Sequence, residues 1–106
     1  MMDVKIPLFV SVMFRKKRLY PHLVVEGAGD VDVNGVYNYT ELYNSKPKYV
    51  SLNNTNIIEW IPDYWVIYFG ATAVYRSNDN VATPDLCTTW IGFDLIYTFP
   101  PSAVRL

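Results

Sequence analysis

Along most of this chain apolar and polar positions alternate with the period of a β-strand. No window of eleven or more residues carries a sustained i, i+3, i+4 stripe. Ile6 to Phe14 is a dense run rich in Val and Phe, bounded by Pro7 and Arg15-Lys16-Lys17-Arg18. It reads as a strand, and a short helix fits the same periodicity. Leu19 to Glu26 continues as a second strand, closed by Gly27-Ala28-Gly29. Val36 to Leu42 and Lys48 to Leu52 form a predicted hairpin, with Asn34-Gly35 before it and Asn44-Ser45 and Pro47 between its arms.

Ile57 to Ile61 and Tyr64 to Phe69 flank Pro62-Asp63, a second hairpin signal. Within it Trp65, Ile67 and Phe69 share one face, and Val66 and Tyr68 share the other. Thr72 to Ser77 follows Gly70, a turn falls at Asn78-Asp79-Asn80, and Val81 to Pro84 reads as loop. Thr88 to Phe99 predicts a last strand pair, or one strand bulged around Gly92, that stops at Pro100-Pro101. Strand signals at this spacing predict an all-β domain over residues 1–106. The architecture expected is a small antiparallel sandwich or partly open barrel of about seven to nine short strands.

Composition supports a packed domain. The chain has 106 residues, 51% hydrophobic and 16% aromatic, with nine Tyr and three Trp, which excludes disorder and supplies both core and contact surface. A net charge of −1 gives no field for nucleic acid, and none is expected as a partner. The local exception is the basic run Arg15 to Arg18, a solvated stretch or a contact for an acidic surface. One cysteine, Cys87, excludes an internal disulfide and a zinc framework, and it reads as a small semi-buried residue. His22, beside Pro21, reads as a loop or strand-edge residue. No segment reaches the length of a membrane-spanning helix. The apolar run precedes its basic flank, the reverse of a secretory signal, so the expected compartment is intracellular. The sequons at Asn38 and Asn53 are discounted on the same ground.

One stretch demands a decision. In "GDVDVNGVYNYTE", Asp30, Asp32, Asn34, Gly35 and Glu41 match every specified position of a calcium-loop pattern. That loop works between two helices. Here "LVVEGAG" precedes it, Pro47 follows soon after, and Tyr37 stands where an aliphatic residue pairs with a partner loop. Asn-Gly is also a strong hairpin signal, which would leave Asp30 and Asp32 solvated on a strand between Val31 and Val33. The match is read as accidental, and no metal or other cofactor is expected.

The order of motifs resembles a small β module found in protist and algal proteins, with the loose pattern GAG, VNGxY, NGKPxY, Trp, WxI, YxS, Pro and Trp. The residues concerned are Gly27 to Gly29, Val33 to Gly35, Tyr37, Asn44, Lys46, Pro47, Tyr49, Ile57, Ile58, Trp60, Trp65, Ile67, Tyr75, Ser77, Pro84 and Trp90. The resemblance spans residues 23–90, leaving an N-terminal extra strand at 6–14 and a C-terminal strand and tail at 91–106. It departs from the pattern at Glu41 and Ser45, where glycine is usual. It implies a compact β module used as an accessory or binding unit, with no catalytic residues to carry over.

The expected function is therefore a non-catalytic accessory or protein-interaction module, a small subunit of a larger assembly. Trp60, Trp65, Tyr68 and Trp90 are the candidate contact patch, because Trp and Tyr dominate interface hot spots, and Arg15, Lys16, Lys17 and Arg18 are the candidate charged contacts. The alternative is carbohydrate or small-ligand binding on an exposed aromatic face beside Asn53, Asn54 or Asp63. No spacing singles out a carboxylate pair among Glu26, Glu41, Glu59 and Asp94, so an enzyme is not expected.

Overall fold

A computed structural model describes residues 20–53, 55–93 and 99–106. The expected strand at Ile6 to Phe14 and the basic run Arg15 to Arg18 lie outside the described residues. Eight strands form one antiparallel sheet: β1 (Leu23–Glu26), β2 (Gly35–Tyr43), β3 (Lys46–Ser51), β4 (Asn56–Ile61), β5 (Tyr64–Phe69), β6 (Thr72–Ser77), β7 (Ile91–Gly92) and β8 (Ser102–Arg105). Their order is β7-β6-β5-β4-β3-β2-β1-β8, a meander whose last strand returns beside the first, and the sheet curls into a half-barrel. Of the two expected architectures, the partly open barrel is the one formed.

Tight turns set the meander. Asn44 (φ 54°) and Ser45 (φ 70°) join Tyr43 to its partner Lys46, the two positive φ values of a two-residue hairpin whose twist matches the strands. Pro62 fixes φ for the next turn and Asp63 takes φ 86° behind it, so Ile61 pairs with Tyr64. Register slips between Tyr39 and Glu41 on β2, and between Ile67 and Tyr68 on β5, mark bulges. Bulges sharpen local twist and help close the sheet on itself.

The concave face holds the core. Leu23, Val25, Tyr37, Tyr49, Ile58, Trp65, Ile67 and Tyr75 are essentially inaccessible, and Trp60 and Trp90 are buried with them. A 3-10 turn, Pro84–Leu86, packs against the edge strand β8 with Pro84 buried. It is joined to β8 by the Arg105 Nε–Asp85 Oδ2 ion pair at 2.9 Å.

Two expectations are corrected. Asn34-Gly35 does not make a hairpin turn. The β1–β2 connection is longer and contains a 3-10 turn at Val31–Val33. The Asp30 carboxylate accepts the Asp32 N–H at 3.1 Å, capping that turn, while Asn34 keeps an ordinary φ of −71°. The Asn34 amide clamps the loop, its oxygen accepting from the Ala28 N–H at 3.0 Å and its nitrogen donating to the Ala28 carbonyl at 3.4 Å. Turn winding rather than strand alternation explains why Val31 is exposed while Val33 is fully buried. The second correction is β8: the chain does not stop pairing at Pro100-Pro101. Leu23 to Glu26 pair with Arg105 to Ser102 across the far side of β1.

Candidate functional site

The aromatic residues singled out by the sequence divide between the two faces of the sheet. Trp60 (8% exposed), Trp65 (0%) and Trp90 (6%) belong to the core, so they offer no exposed contact patch. A tryptophan-faced carbohydrate platform is excluded for the same reason. These rings anchor the fold instead. Trp60 and Trp65 are direct cross-strand partners, meeting edge to face at 5.8 Å between centroids. Trp65 Nε1 donates to the Val81 carbonyl at 3.1 Å. Lys46 lies over the Trp60 ring at 4.6 Å and donates to the Val81 carbonyl at 2.7 Å and to Asn80 Oδ1 at 3.0 Å. The three side chains together tie the loop after β6 to the end of the barrel.

Several other pattern residues also do structural work. Pro47, Tyr49 and Pro84 are fully buried. The buried Tyr75 hydroxyl donates to the Phe99 carbonyl at 3.2 Å and accepts from the Asp30 N–H at 3.0 Å, holding the β1–β2 loop to the far end of the chain. The Tyr37 hydroxyl donates to the Val33 carbonyl at 2.7 Å, and burial pushes its pKa up to about 12. Cys87 is half-buried, and burial pushes its thiol up to about 11, which disfavours the nucleophilic thiolate at neutral pH.

Tyr68 is the one predicted aromatic on the outer face. It is half-buried beside Glu59, and burial with that carboxylate pushes its phenol up to about 12. The outer face holds a second set of residues that the sequence reading did not select. Ile91, Arg76, Val66 and Glu59 follow one another as cross-strand partners. The Arg76 guanidinium lies 5.2 Å from the Tyr64 ring and 5.8 Å from the Phe93 ring. Tyr64 is 36% exposed and Phe93 51%, and no carboxylate pairs with Arg76 among the described residues. Its hydrogen bond goes to Asn78 Oδ1 at 2.8 Å. The available signal was phase: Tyr64 and Arg76 stand opposite to the inward Trp65 and Tyr75.

The carboxylates are dispersed. Glu41 and Glu59 each lie 3.9 Å from Lys48 on the outer face, Glu26 is exposed at the end of β1, and Asp94 lies outside the described residues. The calcium-loop letters fall on a 3-10 turn and a strand, which places Glu41 roughly 20 Å beyond Gly35 by strand rise. Among the described residues no group of three or more His, Cys, Asp or Glu side chains is placed to hold a metal. None of the described helices is long and apolar enough to cross a membrane. No protein-family model matches the chain, and neither does any curated protein or solved structure.

Proposed function

We propose that the chain is a non-catalytic protein-interaction or accessory module, working as a small subunit of a larger assembly. The observation that carries this reading is the outer face around Arg76. There a cation lies between two exposed aromatic rings, beside the exposed Ile61 and Ile91, with no acidic partner among the described residues. Arg and aromatic side chains are the residue types that concentrate binding energy at protein interfaces. The resemblance to an accessory β module points the same way. The apolar segment Ile6 to Phe14 would add a second contact by pairing with a sheet edge of the partner.

The test is the native size of the tagged protein in its own cells, with mass spectrometry of whatever travels with it. A reproducible assembly that is lost on Arg76→Glu, with the fold intact by circular dichroism, supports the proposal. Migration of the wild-type chain alone at its own mass of 12.2 kDa overturns it.

A further inference from the structure

At one end of the half-barrel the β1–β2 connection meets the turn between β3 and β4. The junction leaves a recess of about 180 Å³, with Asp32, Asn34, Ser51, Leu52, Asn53 and Asn56 among its walls. Most of these polar groups are committed. The Asn53 side-chain oxygen accepts from the Ser51 hydroxyl, from the Thr55 N–H at 3.2 Å and from the Thr55 hydroxyl at 2.9 Å. Asn56, buried at 2% exposure, donates its amide to the Asp32 carbonyl at 2.8 Å and its backbone N–H to Ser51 Oγ at 3.1 Å. Asn34 is spent on Ala28. These bonds hold both walls in place and leave two groups without a protein partner among the described residues: the Asp32 carboxylate and the Asn53 amide nitrogen.

The leftover chemistry is selective. No cation is among the described residues that line the recess, so an anion finds nothing there to balance it. A calcium ion takes six to eight oxygens, whereas here one carboxylate is free and the Asn34 and Asn53 amide oxygens already accept hydrogen bonds. A neutral ligand with adjacent hydroxyls would suit these two groups, one hydroxyl donating to the carboxylate and its neighbour accepting from the amide N–H. Leu52, 67% exposed, and Val36 supply apolar surface for its C–H groups.

We propose that this recess binds a neutral polyhydroxylated ligand of monosaccharide size through Asp32 and Asn53. A free sugar and the terminal sugar of a glycan share that chemistry. The proposal is independent of the outer face and of the interaction reading. With no aromatic ring among the described lining residues, affinity is expected in the millimolar range.

The experiment is a set of 1H–15N spectra of the full chain, titrated to about 100 mM with neutral hexoses and pentoses, with oligosaccharides ending in the same sugars, and with calcium chloride. Saturable shifts are expected at Asp32 and at the Asn53 side chain with a sugar, while Arg76 stays unmoved. Asp32→Asn, which alters a side chain without protein partners, should weaken binding about tenfold. Equal affinity for monosaccharide and oligosaccharide identifies a free sugar, and tighter oligosaccharide binding identifies a glycan end; either supports the site. No saturable shift with any sugar, shifts with calcium alone, or undiminished binding by Asp32→Asn overturns it.

Discussion

The two faces of strand β5 show how one apolar sequence serves two purposes. Tyr64 to Phe69 is aromatic or branched at every position. On its inner phase Trp65 and Ile67 are fully buried, and Trp65 uses its one donor on the Val81 carbonyl. On its outer phase Tyr64 and Tyr68 retain exposure, and Tyr64 meets Arg76 from β6. The inner face is closed by its own chain, with the Tyr49 hydroxyl and Trp90 Nε1 left unpaired among the described residues. The outer face presents the same residue types without a covering layer among the described residues. Hydrophobicity alone therefore does not locate an interface; what separates the two faces is whether the rings are covered by the chain's own residues.

The largest effect expected from breaking this contrast is on the inner side. Trp65→Ala removes a ring packed on Trp60 and the hydrogen bond that holds the loop after β6, and should cost about 3–5 kcal/mol. Chemical denaturation measures it. A loss below about 1 kcal/mol would mean that the inner cluster is not the core.

Next comes the latch between the Pro84–Leu86 turn and β8. Arg105→Ala leaves the Asp85 carboxylate, with 10% of its side chain exposed, without its ionic partner. About 1–3 kcal/mol of stability should go, and faster hydrogen exchange is expected at β8 and at Pro84–Leu86 before it appears at β5. Uniform exchange across the chain would show that the turn and β8 unfold only with the whole domain.

Much of the inner side was legible in the sequence and little of the outer side was. The boundaries of β5 and β6 follow directly from alternation and from the turns at Pro62-Asp63 and Gly70. The β1–β2 connection was misread because Asn34-Gly35 is a strong local signal, overridden by contacts that sequence spacing does not reveal: Asn34 with Ala28, and Tyr75 with Asp30. Strand β8 was missed because Pro100-Pro101 looks like an ending, whereas Pro at the start of an edge strand gives up no ladder hydrogen bond. At the candidate site, sequence alone favours tryptophan as the interface residue, yet all three tryptophans fill the core. Arg76 drew no notice because its meaning comes from Tyr64 and Phe93, which lie on other segments.

The buried tyrosines extend the contrast to pH. Tyr37 and Tyr68 have folded pKa values of about 12, above the ordinary 10, with burial as the main cause in each case. A group whose folded pKa is raised contributes stability that is fully present below its unfolded pKa. That stability is lost as pH rises through the folded value. Denaturation midpoints should therefore hold steady up to about pH 10 and fall between pH 10 and 12, and Tyr37→Phe should flatten the fall. An unchanged slope in that variant would remove Tyr37 from the cause.

The smallest and most discriminating effect compares two tyrosines that both face the core. The hydroxyl of Tyr37 donates to the Val33 carbonyl at 2.7 Å, whereas the hydroxyl of Tyr49, equally buried, has no partner among the described residues. Removing a satisfied donor costs the net value of one hydrogen bond and leaves the Val33 carbonyl unpaired, about 1–2 kcal/mol. Removing an unsatisfied hydroxyl relieves a desolvated polar group, so Tyr49→Phe should leave stability within about 0.5 kcal/mol or raise it. The same logic marks the outer face. Arg76 gives up a hydrogen bond to Asn78 and two ring contacts when replaced, all at the surface, so Arg76→Ala should shift stability by no more than about 1 kcal/mol while weakening partner capture. If Tyr49→Phe costs as much as Tyr37→Phe, the unpaired hydroxyl has a partner in solution, an internal water between it and Asp85 being the chemistry that fits. If Arg76→Ala destabilises like Trp65→Ala, the outer face is core as well, and its rings are held for the fold rather than kept for a partner.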